Sequence, residues 1–260
     1  MIVNYKELIK KVKGTSVSKP LSGEMAGHAA GEPFDKHVYK IIKNQLPKYT
    51  FRQYEYLNDL YSKNPETITI AERQNLFDSP SVLFLLSRGK EATKRWSLDN
   101  PFDEKQDDTA DIIVVKDGFY EIIDIKTRNL SKTAQPPNII SSFKLAQLCA
   151  IMIDNKEFDK LSINYFEIDW LLEKDKLICK DAHFVSLFKS IPENLYINWA
   201  AAMQIQFHVC NLDQDFKGTI KEWAKNYLKH FVAQVYRRSN YMIEKYAKPF
   251  EKYIKRGSKN

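Results

Sequence analysis

The sequence predicts an α/β fold, a mixed central β-sheet flanked by helices. Three observations predict it. Residues 109–127 hold two runs of β-branched and aromatic residues around Asp117-Gly118, the strongest short-range hairpin signal. That hairpin is apolar on both sides, which marks central rather than edge strands. Segments with helical spacing then alternate with strand-like runs along the rest of the chain.

In chain order, Tyr5, Leu8, Ile9 and Val12 have helical spacing, and 14–23 reads as a loop. A helix is expected to start near 31–34, because Pro33 suits a first helical turn. Phe34, Val38, Ile41 and Ile42 are its apolar stripe. Residues 51–60 are aromatic-rich and fit either a helix or a strand. Short helices are expected at 71–77 and 81–86, the second opened by Ser79-Pro80. After the hairpin, 129–137 is a polar loop and 139–153 returns to helical spacing. Strands are expected at 161–172, more briefly at 177–179, and again at 199–209. Thr219 and Glu222 fit a capping box. It opens a long helix with Trp223, Tyr227, Phe231, Val235, Met242, Tyr246 and Phe250 along one side, which Pro249 kinks or ends. No repeat, low-complexity tract or Pro/Gly-rich linker divides the chain. Residues 1–260 are therefore expected to form a single domain, with a basic helical segment at 217–256 within it.

The chain is 43% hydrophobic and 28% charged, ordinary for a soluble globular protein. No apolar run approaches the ~20 residues of a membrane span, and no secretory signal is visible. Cys149, Cys179 and Cys210 form neither a zinc pattern nor a disulfide framework, so the cytoplasm is the expected compartment. His208, in an apolar run, reads as a satisfied interior histidine. Charge is uneven. Residues 217–260 carry twelve Lys and Arg against three acids, a net +9, which leaves 1–216 near −2 of the total +7. Such a segment suggests a polyanionic partner bound with salt-sensitive affinity, although a run like this can equally be a helix with a solvated lysine face.

The hairpin also carries chemistry. With the turn centred on Asp117-Gly118, Asp111 and Asp124 face each other with Cβ atoms roughly 4.5–5.5 Å apart. Lys126, two residues beyond Asp124, points to the same face. Opposed like charges destabilise a sheet, and a divalent cation would compensate them. Hard cations such as Mg²⁺ take carboxylate oxygens and keep several waters. A lysine beside them could position a metal-bound water or help deprotonate it, a constellation for metal-assisted hydrolysis of a phosphodiester. The plain alternative is a solvent-facing hairpin end, which the apolar flanks disfavour.

The pattern Asp-x12-Asp-x-Lys resembles the PD-(D/E)xK nuclease superfamily, with Ala110 where proline usually precedes the first aspartate. Longer strings are similar to the HincII-type restriction endonuclease family. They begin at Gly27-His28-Ala29-Ala30-Gly31-Glu32-Pro33-Phe34, Gln53-Tyr54-Glu55-Tyr56 and Phe84-Leu85-Leu86-Ser87-Arg88-Gly89-Lys90, and continue at Pro137-Asn138-Ile139-Ile140-Ser141 and 195–204. The resemblance runs from about residue 23 to 253. It implies a restriction-endonuclease-like fold and a homodimeric type II enzyme. Such an enzyme cuts double-stranded DNA at the palindrome GTYRAC, leaves blunt ends with 5′-phosphates, and uses Mg²⁺.

By the same resemblance, Asp111 and Asp124 match the metal-binding aspartates, Lys126 the catalytic lysine, and the Ile125 carbonyl a further metal ligand. Gln135 matches a glutamine that wedges between base pairs. Asn138 and Asn198 match residues that read base edges, with Tyr196 and Ala201 close by. Lys90 and Arg128 join the DNA-binding set. Pro136 departs from the family's alanine and would stiffen the wedge loop while removing one N–H, which bears on the recognition sequence. Glu32 and Glu55 are acids with no assigned role. The chemistry is coherent: asparagine pairs bidentately with adenine, a wedge repays lost stacking with contacts to bent DNA, and a pyrimidine–purine step deforms cheaply. A repair or junction-resolving nuclease and a non-enzymatic nucleic-acid-binding protein are the rival readings. The second leaves the Asp-Asp-Lys geometry unexplained.

Overall fold

The computed structural model describes residues 1–19, 28–66, 76–86, 110–133 and 135–256. The hairpin is the centre of it. β3 (Ile112–Lys116) and β4 (Phe119–Asn129) pair antiparallel with Ile112 opposite Ile123 and Lys116 opposite Phe119, the register set by the turn. Asp117 and Gly118 both have positive φ, 51° and 74°, as a primed two-residue turn requires. β6 (Leu161–Glu173) lies parallel to β4 on its other side, and β7 (Lys176–Ser186) runs antiparallel to β6. The short strands β1 (Ser16–Ser18) and β2 (Thr50–Phe51) close the edges, giving the order β1-β7-β6-β4-β3-β2.

Because the hairpin is apolar on both sides, the sheet has two cores. On one face α1 (Tyr5–Val12) and α2 (His28–Gln45) pack Leu8, Val12, Phe34, Val38 and Ile42 against Ile112, Val114, Ile123 and Phe166. On the other, α4 (Pro80–Leu86), α5 (Ser142–Asn155) and the start of α6 (Ile220–Met242) cover Ile113, Ile122, Ile163 and Tyr165. α3 (Gln53–Ser62) follows β2 and places Tyr56 against Tyr120. Each fully buried large apolar side chain contributes about 1.5–3 kcal/mol. Hydrogen bonding seats the ends: the buried Glu121 carboxylate accepts from the Ile2 and Val3 amides and from Asn164.

Several boundaries differ from expectation. α2 starts at His28, so Pro33 lies inside it rather than at its first turn; Ala29-Ala30 are good helix formers that extend it backwards. The expected helix at 71–77 falls largely outside the described residues. The helix expected from 139 begins at Ser142, because Asn138–Ser141 form β5. β7 runs for eleven residues instead of stopping at Cys179, with a bulge opposite Asp169–Trp170 that breaks its alternation. The strand expected at 199–209 is two short strands, β8 (Ile197–Asn198) and β9 (Gln204–Gln206), around a turn in which Ala202 and Met203 have positive φ. β5, β9 and β8 make a second, three-stranded sheet.

The Thr219 capping box is present in full. Pro249 neither ends nor sharply breaks the helix. A π-helical segment at Ile243–Ala247 precedes it, and α7 (Lys248–Arg256) continues the rod. The wider turn gives the proline ring room where it would otherwise meet the carbonyl four residues back. No described helix is long and apolar enough to cross a membrane. The three cysteines are free. His208 is satisfied, with Nδ1 3.0 Å from the Glu167 carboxylate.

Candidate active site

Asp111 stands one residue before β3, and Asp124 and Lys126 stand on β4, so the hairpin register brings all three to one end of one sheet face. The Ile125 amide donates to Asp111 Oδ2 at 2.6 Å, which fixes the carboxylate across the strand gap. Lys126 Nζ lies 2.8 Å from Asp124 Oδ2.

Electrostatics follow from burial. Burial, reinforced by the Asp124 charge, pushes the Asp111 carboxyl up to about 7 against the pull of the Ile125 N–H. Burial disfavours the Lys126 ammonium, but the Asp124 carboxylate more than offsets this and holds the lysine above its ordinary value. Lys126 is therefore a firmly protonated donor. Tyr165, paired with Asp124 across β4 and β6, is held well above the ordinary phenol range by burial and then by the Asp124 charge.

Among the described residues, no cluster of three or more His, Cys, Asp or Glu side chains could hold a metal. The oxygen donors at this point are the two carboxylates and neighbouring backbone carbonyls. That set suits a hard divalent cation, which takes few protein oxygens and keeps its waters. A cation there would also relieve the repulsion that lifts Asp111.

Arg52 is a participant that sequence reasoning missed. Its Nη1 donates to the Asp111 backbone carbonyl at 2.9 Å and to Asp35 Oδ1 at 2.7 Å, and its guanidinium lies 4.2 Å from the Tyr39 ring centroid. Glu55 supports it from behind, accepting from the Arg52 amide at 2.9 Å and from the Tyr39 hydroxyl at 2.6 Å. Burial, and further the Asp111 charge, raise Asp35 against the pull of Arg52. Glu32 points away, paired with Lys36 on an exposed helix face. No short motif marks Arg52; the aromatic-rich run around it was the only signal.

The expected DNA-reading residues separate into two places. Asn138 on β5 and Asn198 on β8 are joined by Gln206 on β9. Gln206 Nε2 donates to Asn138 Oδ1 and Asn198 Nδ2 donates to Gln206 Oε1, each at 2.8 Å. Asn198 Oδ1 also accepts from the Ala200 and Ala201 amides at 3.0 and 3.2 Å. Tyr196 is exposed beside them, and its carbonyl accepts from the Gln206 amide. Gln206 was another residue the sequence did not single out. Gln135 is exposed on the loop between β4 and β5. Arg128 is committed within the protein: it pairs with the buried Asp169, which also meets His183 Nε2 at 3.1 Å. Lys90 lies outside the described residues.

Restriction endonuclease HincII is the family whose model matches residues 8–254. The chain belongs to the HincII restriction endonuclease family. It is 60% identical over 250 residues to the type II restriction enzyme HindII of Haemophilus influenzae strain KW20 / Rd, covering 96% of this chain and 97% of that enzyme. It is 60% identical over 250 residues, with the same coverage, to the type II restriction enzyme HincII of Haemophilus influenzae. Family membership makes the chain a restriction endonuclease, an enzyme that cleaves DNA at specific sequences. The mixed sheet with helices on both faces is consistent with the restriction-endonuclease-like fold.

Proposed function

We propose that this member of the HincII family hydrolyses double-stranded DNA at the palindrome GTYRAC, cutting blunt and leaving 5′-phosphates. It works with Mg²⁺ as a cytoplasmic homodimer of single-domain subunits. The observation that supports this most directly is the trio itself: two carboxylates placed across one hairpin, with an ion-paired lysine beside them.

Asp111, Asp124 and the Ile125 carbonyl would hold the cation. When bound, Mg²⁺ supplies Lewis acidity and charge neutralisation at the scissile phosphate. The chain's own residues do the rest. The Ile125 N–H and Arg52 fix Asp111 through its carboxylate and its carbonyl. Lys126, kept protonated by Asp124, donates: it orients the attacking water and offsets negative charge that grows on the phosphoryl oxygens in the transition state.

Asn138, Asn198 and Gln206 form an amide relay whose remaining donors and acceptors suit base edges in the major groove. Gln135, exposed on its loop, is the wedge, and Pro136 stiffens it. Tyr196 and Ala201 border the relay, and Lys90 approaches the DNA from its own segment. Arg128 acts at one remove, by bracing the end of β4 against β6.

Lys126→Ala tests the assignment. Cleavage is expected to fall at least about a hundredfold, the scale for removing one transition-state donor. Site-specific binding with Ca²⁺ in place of Mg²⁺ should survive. Parental cleavage rates in that variant overturn the reading. Mapping cut ends on a plasmid of known sequence tests the palindrome and the blunt cut.

A further inference from the structure

The chain passes from the second sheet straight onto the strand beside the catalytic trio. Gln206 is the last residue of β9 and joins Asn138 to Asn198. Phe207 follows, buried, with its ring edge-on to Tyr165 and the centroids 5.7 Å apart. His208 and Val209 come next, and both reach Glu167. One oxygen of the Glu167 carboxylate meets His208 Nδ1 at 3.0 Å, and the other accepts from the Val209 amide at 2.8 Å. The places they reach on β6 matter. In the β4–β6 register Tyr165 lies beside Asp124, and Glu167 beside Lys126. Neighbours across a ladder share a sheet face, as do residues two apart on one strand. Three successive residues after Gln206 therefore rest on the two positions that flank Asp124 and Lys126.

We propose that Glu167 and His208 are positioning residues, which hold the base-reading sheet in register with the catalytic strand so that only a correctly read site is cut at full rate. The proposal rests on the roles assigned above to Lys126 and Gln206, and adds the link between them. Stability alone does not call for a carboxylate at this place. Glu167 is fully buried, and burying a carboxylate costs desolvation that an apolar residue of the same volume would not. What the carboxylate supplies is direction. Two bonds aimed at adjacent residues fix where the end of β9 sits along β6, whereas an apolar contact has no such direction.

Close packing carries the displacement. Protein interiors compress little and transmit strain, so a shift of Gln206 as it meets a base passes to Phe207 and His208 and from them to β6. Tyr165 stands near enough to Asp124 for that charge to act on its phenol. Movement there reaches the groups that hold the scissile phosphate, where a misplacement of about 1 Å can cost about a hundredfold in rate. The link is separate from the loop that carries Gln135, since that loop is exposed and this route runs through buried side chains.

The test measures single-turnover cleavage and Ca²⁺-supported binding on the same target duplex. With saturating enzyme, His208→Ala should slow cleavage about ten- to a hundredfold while leaving affinity for the duplex within about twofold. His208→Asn, whose amide nitrogen can stand near the place of Nδ1, should recover most of the loss. With Gln206→Ala already in place, His208→Ala should slow cleavage less than about threefold further, because the link then has nothing to carry. Amide exchange of the unaltered protein needs no variant. Residues 205–211 and 161–173 should exchange more slowly when the target duplex binds with Ca²⁺, and not when an unrelated duplex of the same length does. Equal losses of rate and affinity, additive effects with Gln206→Ala, or exchange that responds alike to both duplexes overturn the link. A parental rate in His208→Ala beside an inactive Lys126→Ala overturns the link and spares the catalytic assignment. A parental rate in Lys126→Ala overturns that assignment, and the link with it.

Discussion

Asp111 shows how one residue's environment bears on both stability and the role proposed for it. Its carboxyl is pushed up to about 7 because it is buried and faces Asp124. The sign of the linkage is definite. Without metal, the folded protein keeps a proton on Asp111 that the unfolded chain releases near pH 4, so between about pH 4 and 7 the folded state binds more protons. Stability therefore falls as pH rises through that window, with the full penalty above 7 and none below 4. Asp111→Asn, assayed in EDTA, should match the parent in thermal stability near pH 4 and exceed it near pH 8. The gain is up to about 4 kcal/mol. A difference that does not grow with pH would show that the burial argument is wrong. The trio was legible in the sequence because a two-residue turn fixes register, and register fixes which side chains meet. Arg52 was not legible: its contact with the Asp111 carbonyl spans 59 positions and depends on where α3 and β2 settle.

At the scale of elements, the strong periodic patterns were readable and the short irregular ones were not. The hairpin, α1, β6 and the capped start of α6 follow from alternation, helical spacing and the Thr219–Glu222 pair. The second sheet was hidden. Its strands are two to four residues long, and 195–209 reads as one apolar run unless the left-handed backbone at Ala202 and Met203 is known. That sheet is what makes Gln206 matter, since β9 places it between Asn138 and Asn198. Gln206→Ala would leave Asn138 Oδ1 and Asn198 Nδ2 without their tether, and each lost hydrogen bond is worth about 1 kcal/mol. The expected result is a ten- to thirtyfold weaker affinity for the target duplex in Ca²⁺, since two such bonds amount to about 2 kcal/mol. Affinity for unrelated duplex, which rests on phosphate contacts, should be unchanged. Equal losses on both duplexes would remove the relay from sequence reading.

Over the whole molecule, one helix divides into a half that belongs to the core and a half that lies in solvent. The sequence shows a single aromatic stripe from Trp223 to Phe250, and pattern alone cannot say where a core ends. The structure places the boundary just past Phe231, which packs on Tyr227 and Phe143. Trp223 is fully buried, stacks with Tyr227 at 5.5 Å, meets Phe188 edge-on, and donates Nε1–H to the Ser190 carbonyl at 2.7 Å. Trp223→Ala opens a cavity and strands that carbonyl, so it should cost about 3–5 kcal/mol, a large share of a domain's net stability. Phe250 touches none of this core. In dilute protein, where association is minimal, Phe250→Ala should change stability by less than about 0.5 kcal/mol, as an exposed site does. Urea unfolding of the dilute proteins separates the two: the Trp223→Ala midpoint should fall well below the parent's, while the Phe250→Ala midpoint should stay with it. A Phe250→Ala deficit of several kcal/mol in dilute protein would mean that the rod's far half packs on its own chain, and that the core extends beyond Phe231.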